Sequence, residues 1–267
     1  MTAYKLWDNA PGLCYEEPIL EYYPAENKKT DASVVIFPGG GYNHRAAHEG
    51  GDYALFLNSI GMDAFVCQYR VWPHQYPLPL LDARRAVRFV RSKAAEFGLD
   101  PEKVAVMGSS AGGHLSALVS NYKEPIEFEG VDEIDSISPI PNATVLCYAV
   151  VHAPDEEGIG HAGCYQTLAG ENVDYDKLAP DLHVTENTPP AFIWHTANDS
   201  VVHVGNAYLY ALVLRKYHIP HELHTFAKGR HGLGLANGWS YIEQWSTLLH
   251  HWFMHIGWLP EEDGTWR

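Results

Sequence analysis

Six consecutive residues, Gly108-Ser109-Ser110-Ala111-Gly112-Gly113, place a serine at the centre of a G-x-S-x-G pattern. A serine hydroxyl becomes an effective nucleophile only where the backbone presents it and a neighbouring base takes its proton. Presentation calls for a sharp strand-to-helix turn with strained angles at its apex, and the residues two before and two after must be small. Gly108 and Gly112 meet that demand only if Ser110 is the apex, so Ser109 is the bystander. A helix starting at this point would aim unpaired N–H groups at Ser110 and favour the negative charge that develops during acyl transfer. A turn that merely packs a strand on a helix would carry the same letters. What favours chemistry is the context: the apolar run Val104 to Met107 before the turn and Leu115, Ala117, Leu118 and Val119 after it.

A second glycine run, Gly39-Gly40-Gly41, follows Val34-Val35-Ile36-Phe37 and Pro38. Glycines after a buried strand let main chain approach a ligand with its N–H groups bare. Gly40 and Gly41, with Ala111 beside the serine, are therefore candidate oxyanion-hole donors. A phosphate cradle would end in Lys-Ser/Thr, whereas Tyr42, Asn43 and His44 stand here. Acid and base are sought past later strands, in the order Ser, Asp, His. Asp199 lies just beyond the apolar run from Ala191, and His231 lies beyond the stretch His221 to Phe226. Taken alone, the first could be a turn aspartate and the second any of 16 histidines; position past a strand end distinguishes both. His218, His221 and His224 would gather a metal on a helix, but Pro220 interrupts them and a strand sends 221 and 224 to opposite faces. No G-x-G-x-x-G opens a helix, so neither a metal nor an organic cofactor is expected.

Elements of alternating type must hold these residues. Short apolar runs at Val34 to Phe37, Ala64 to Cys67, Val104 to Met107, Thr144 to Val151, Ala191 to Trp194 and His221 to Phe226 predict strands. Between them, Leu81, Ala83, Ala86, Val87, Val90 and Ala94 repeat at threes and fours, with Arg84, Arg85, Arg88 and Arg91 on other faces. This predicts an amphipathic helix ending at Gly98. Further helices are expected after Ser110, over Val204 to Tyr217 and over Gly238 to His255. The alternation implies an α/β fold with a mostly parallel central sheet and helices on both faces, to which Glu17 to Tyr23 could add an antiparallel edge. Residues 121–138 are rich in Glu and Asp and read as a solvated acidic loop; 152–188 read as a second surface excursion. No linker divides the pattern, so residues 1–267 are expected to form one domain.

With 267 residues and 46% of them apolar, the chain can build a large core without staples. Its 33 acidic against 18 basic residues give a net charge of −15, which repels nucleic acid and anionic lipid. Cys14, Cys67, Cys147 and Cys164 are scattered without a C-x-x-C pair and are expected to be reduced. The first residues lack the apolar stretch of a secretory signal, which predicts a cytoplasmic product.

The sequence resembles the lidless α/β-hydrolase esterases described as acetyl-xylan or feruloyl esterase-like. The likeness is carried by Phe37-Pro38-Gly39-Gly40-Gly41-Tyr42, His48-Glu49-Gly50, Tyr69-Arg70, Leu81-Asp82-Ala83-Arg84, Met107 to Leu115, Pro189 to Asp199 and Gly229-Arg230-His231-Gly232. It runs from about residue 33 to 236 and implies nucleophile, acid and base at Ser110, Asp199 and His231. Pro38 replaces the His that opens the oxyanion loop in many relatives, and Ser109 stands where a bulkier residue such as Phe is common.

The resemblance implies hydrolysis of short esters, acetyl foremost, on xylan-derived oligosaccharides through an acyl-enzyme, with little or no cap over the site. Tyr42, Trp72 and Tyr76 are candidates to stack on sugar rings, Tyr42 first among them as a substrate-binding residue. Competing expectations are an arylformamidase or peptidase using the same three residues, and a non-catalytic binding module.

Overall fold

Five central strands are apolar enough to be buried on both faces, which is what a parallel sheet sandwiched between helices requires. The structure, a computed structural model, describes residues 1–171 and 173–261. Residue 172 and residues 262–267, included in the expected domain, lie outside the described residues. The strands are β1 (Thr2–Lys5), β2 (Ile19–Tyr23), β3 (Ser33–Phe37), β4 (Asp63–Gln68), β5 (Val104–Ser109), β6 (Ala143–Cys147), β7 (Ala191–Thr196) and β8 (His221–Phe226). They form one sheet in the order β1-β2-β4-β3-β5-β6-β7-β8. β2 pairs antiparallel with both β1 and β4, and the other neighbours pair parallel.

The helices are α1 (Gly51–Ser59), α2 (Leu78–Ser92), α3 (Ala94–Phe97), α4 (Ala111–Asn121), α5 (Ala162–Ala169), α6 (Gly205–Lys216) and α7 (Gln244–His255). Side chains alternate across each strand. Val34 and Ile36 of β3 pack with Tyr53, Ala54 and Leu57 of α1 and Trp245, Leu249 and Phe253 of α7. Val35 and Phe37 face the opposite way, toward Val87 and Val90 of α2 and Leu115 and Leu118 of α4. This two-sided packing is the α/β-hydrolase architecture, and it sets the carboxyl ends of the parallel strands on one rim.

Several expectations change. The strand expected to reach Val151 stops at Cys147, because Tyr148 adopts a φ of 38° and swings the chain over the rim. β1, only four residues long, has no readable period. The helix expected to run to Gly98 breaks at Lys93 into α2 and α3, and Gly98 closes it at φ 63°, ψ 43°.

The acidic segment is not simply solvated. Arg84, Arg85 and Arg88 are buried beneath it, and each finds a carboxylate there. Glu129 accepts from Arg84 at 2.9 Å and Arg88 at 3.0 Å. Asp132 takes two 2.6 Å hydrogen bonds from Arg85, and buried Asp135 a third at 3.1 Å. Guanidinium groups leave water only when paired, so the arginine stripe of α2 and the loop bury each other. No helix among the described residues is long and apolar enough to cross a membrane.

Candidate active site

β5 ends at Ser109 and α4 begins at Ala111, leaving Ser110 at the apex with φ 52° and ψ −120°. That angle is strained for a residue with a side chain and persists only where packing demands it. Here packing does. A Cβ on Gly108 would collide with the Gly112 carbonyl, and one on Gly112 would collide with the carbonyl of Phe37. Glycine at 112 therefore lets the first turn of α4 lie directly against the end of β3, joining the serine turn to the glycine loop. Ser109 is buried, its hydroxyl 2.8 Å from that of Tyr53, so a polar contact satisfies it inside the core.

The three predicted side chains meet on this rim. His231 Nε2 lies 2.9 Å from Ser110 Oγ, and His231 Nδ1 lies 2.7 Å from Asp199 Oδ2. The other oxygen of Asp199 accepts from the backbone N–H of Val201 at 2.9 Å and Val202 at 3.0 Å. Burial alone would raise the carboxyl's pKa, but hydrogen bonds from His195 and His231 outweigh it and hold the group well below the usual carboxylate range. An ionised carboxylate only accepts, so His231 Nδ1 carries a proton and Nε2 is left to accept from the serine hydroxyl.

Facing them is the glycine loop. The Gly39 carbonyl accepts from the Ala46 N–H at 2.9 Å, and the Gly40 carbonyl accepts from Asn43 at 3.0 Å and His44 at 3.3 Å. The carbonyls thus turn back into their own loop, a path that needs φ values of 128° at Gly40 and 62° at Gly41. Ala111 opens α4, so its N–H has no acceptor within the helix. Gly40, Gly41, Ser110 and His231 share the walls of a cavity of about 260 Å³.

The structure corrects the role of Tyr42. Its ring is fully buried and does not face the cavity. Its hydroxyl lies 2.7 Å from His114 Nδ1, while His114 Nε2 donates to the Leu178 carbonyl at 2.8 Å. Burial pushes the His114 imidazole down to about 4, so it is neutral and Nδ1 accepts from Tyr42. The tyrosine is a bolt between the glycine loop and α4, not a platform for substrate. Tyr76 is likewise occupied, its hydroxyl 3.1 Å from that of Tyr122. Trp72 alone of the three aromatics presents its ring to solvent, at 53% exposure.

Two polar residues at the site had no assigned role. Glu49 and Tyr148, both buried, hydrogen-bond at 2.7 Å, and the Tyr148 ring packs edge-on against His231 with centroids 5.1 Å apart. Glu49 lay within a family-like motif, yet nothing in periodicity marks a carboxylate for burial. The excursion after β6 also contributes: His161 and Cys164, at the start of α5, form one wall of the cavity. Cys164 is a free thiol that burial pushes up to about 12, which keeps it protonated and unreactive.

A serine, a histidine and an aspartate joined by hydrogen bonds at the carboxyl rim of this sheet define a protein of the α/β-hydrolase class. The chain belongs to the BD-FAE family, whose model matches residues 20–213. It is 37% identical over 234 residues, 83% of its length, to endo-1,4-beta-xylanase B of Butyrivibrio fibrisolvens. It is 31% identical over 240 residues, 86% of its length, to an acetylxylan esterase of Xylanibacter ruminicola. The chain spans only 36% and 47% of those two proteins. Among solved structures, an acetyl ester-xyloside bifunctional hydrolase from Caldicellulosiruptor lactoaceticus superposes with a TM-score of 0.90 at 41% identity, over 97% of each chain.

Proposed function

We propose that this protein is a serine carboxylesterase that removes short acyl groups, acetyl foremost, from xylan-derived oligosaccharides. The observation that carries the reading is the continuous hydrogen-bonded run from Ser110 through His231 to Asp199, opening on a small cavity walled by Gly40 and Gly41. Ser110 Oγ attacks the ester carbonyl carbon as its proton passes to His231 Nε2. Asp199 holds the imidazole tautomer and stabilises the imidazolium. The carbonyl oxygen, now anionic, takes hydrogen bonds from the N–H groups of Gly40, Gly41 and Ala111, each worth roughly 3–4 kcal/mol in hydrolases. Collapse of this intermediate breaks the ester C–O bond, and the departing alcohol takes the proton from His231. Water then repeats the attack on the acyl-serine, releasing the carboxylic acid and restoring the hydroxyl.

A cavity of about 260 Å³ suits a small acyl group. The xylan-related names of the similar proteins support a sugar as the alcohol half. The test is hydrolysis of 4-nitrophenyl acetate and acetate release from acetylated xylo-oligosaccharides, each compared with Ser110→Ala. The variant is expected to lose roughly 10⁴- to 10⁶-fold in kcat. Wild-type rates in that variant would overturn the mechanism. Faster turnover of formyl-kynurenine than of any ester would favour the amidase alternative, and no turnover of either would favour a binding module.

A further inference from the structure

Resting on the esterase reading above, we propose that Asn43, Trp72, Gln166 and Thr167 form a sugar subsite beside the catalytic cavity, holding one neutral pyranose ring of the substrate's alcohol half. These four residues line a surface hollow of about 310 Å³. Its position follows from chain continuity with the catalytic cavity. His44 and Cys164 line that cavity, while Asn43, the neighbour of His44 on the same loop, and Gln166 and Thr167, two and three residues after Cys164 on the same helix, line the hollow.

The chemistry matches a sugar. A pyranose has an apolar C–H face and a rim of hydroxyls, so it is recognised by an aromatic plane with amides and hydroxyls around it. Trp72 supplies the plane at 53% exposure, whereas Trp7, Trp194, Trp245 and Trp252 are buried. Asn43 and Gln166 are exposed, and among the described residues neither side-chain amide has a partner. Thr167 Oγ1 donates to the Gly163 carbonyl at 2.8 Å and keeps its lone pairs for a hydroxyl. None of the four is charged, and a chain of net charge −15 repels an anionic ligand, so the ring is neutral.

The platform is also held in place. The Trp72 N–H donates to the Tyr42 carbonyl at 2.8 Å, anchoring it to the glycine loop. Downstream, the Tyr76 N–H donates to the Leu168 carbonyl at 2.6 Å, and Gln75 Nε2 donates to that of Thr167 at 3.4 Å. The backbone that carries ring and rim is thus tied down before substrate arrives, which lowers the ordering cost of binding.

Steady-state kinetics of the full-length protein on acetylated xylo-oligosaccharides and on 4-nitrophenyl acetate provide the test. Trp72→Ala is expected to lower kcat/KM for the oligosaccharide about tenfold more than for the nitrophenyl ester, mainly through KM; Trp72→Phe restores most of the difference. Trp239→Ala, an exposed tryptophan elsewhere, leaves both substrates as in wild type. Calorimetry gives a second readout independent of turnover: Ser110→Ala protein binds unacetylated xylotetraose, and adding Trp72→Ala weakens that binding about tenfold. An unchanged selectivity ratio, an equal loss on both esters, or the same effect from Trp239→Ala would overturn the subsite while leaving Ser110-dependent esterase activity intact. Loss of the esterase reading would instead appear as Ser110→Ala hydrolysing 4-nitrophenyl acetate at the wild-type rate.

Discussion

The Tyr148 hydroxyl donates to Glu49 Oε1 at 2.7 Å, and the other oxygen of the same carboxylate accepts the Gly39 N–H at 2.9 Å. The Tyr148 hydroxyl in turn accepts from the Gly234 N–H at 2.9 Å. One buried acid and one phenol therefore tie together the glycine loop, the turn after β6 and the loop that carries His231. Each joins segments that are about a hundred residues apart in the chain.

Tyr148→Phe leaves one Glu49 oxygen and the Gly234 N–H buried without their partner. Loosening the glycine loop and the His231 loop together is expected to lower kcat roughly ten- to hundredfold, with KM for 4-nitrophenyl acetate little changed. A purely structural role would lower the melting temperature and leave kcat of the folded fraction intact, so both are measured on the same preparation.

For Asp199, replacement by Asn allows the side chain to donate to His231 Nδ1, which moves the imidazole proton to Nε2 and removes the acceptor for Ser110. A fall in kcat of about 10⁴-fold is expected, with the fold retained. The acid also leaves a mark on stability. Its folded pKa lies below the unfolded value of about 3.9, so its contribution is present above that pH and is lost as pH falls through the folded value. Urea denaturation should find the gap between wild type and Asp199→Asn constant from pH 7 to about 5 and shrinking below about 4.

Asp82 grips fully buried Arg70 through Nε at 2.8 Å and Nη2 at 2.7 Å, and accepts Trp7 Nε1–H at 3.2 Å. Arg70 also donates to the carbonyls of Pro11 and Leu13 at 2.7 and 2.9 Å, pinning the N-terminal segment. Asp82→Ala strands a buried cation and should destabilise the protein by about 3–5 kcal/mol in urea unfolding. The double variant Arg70→Met with Asp82→Leu should recover part of that loss, because no uncompensated charge remains.

Much of this arrangement was legible in the linear chain. The serine turn carried its own steric signature, and apolar runs alternating with helical spacing specified a parallel sheet, because both are consequences of local geometry. Asp199 and His231 were legible by position, as polar residues just past strands whose carboxyl ends must share a rim.

Tertiary structure decided the rest. Tyr42 and Trp72 are both aromatic residues near the glycine loop, yet one is sealed against His114 and the other stands in water, an outcome that depends on which neighbours fold over each. The arginine stripe of α2 is buried because an acidic loop about forty residues onward closes on it. Glu49 gains its partner from Tyr148, 99 residues later. Residue type and spacing record what the backbone can do within a few residues; pairings between distant polar groups are settled only when the layers pack and each buried donor must find an acceptor.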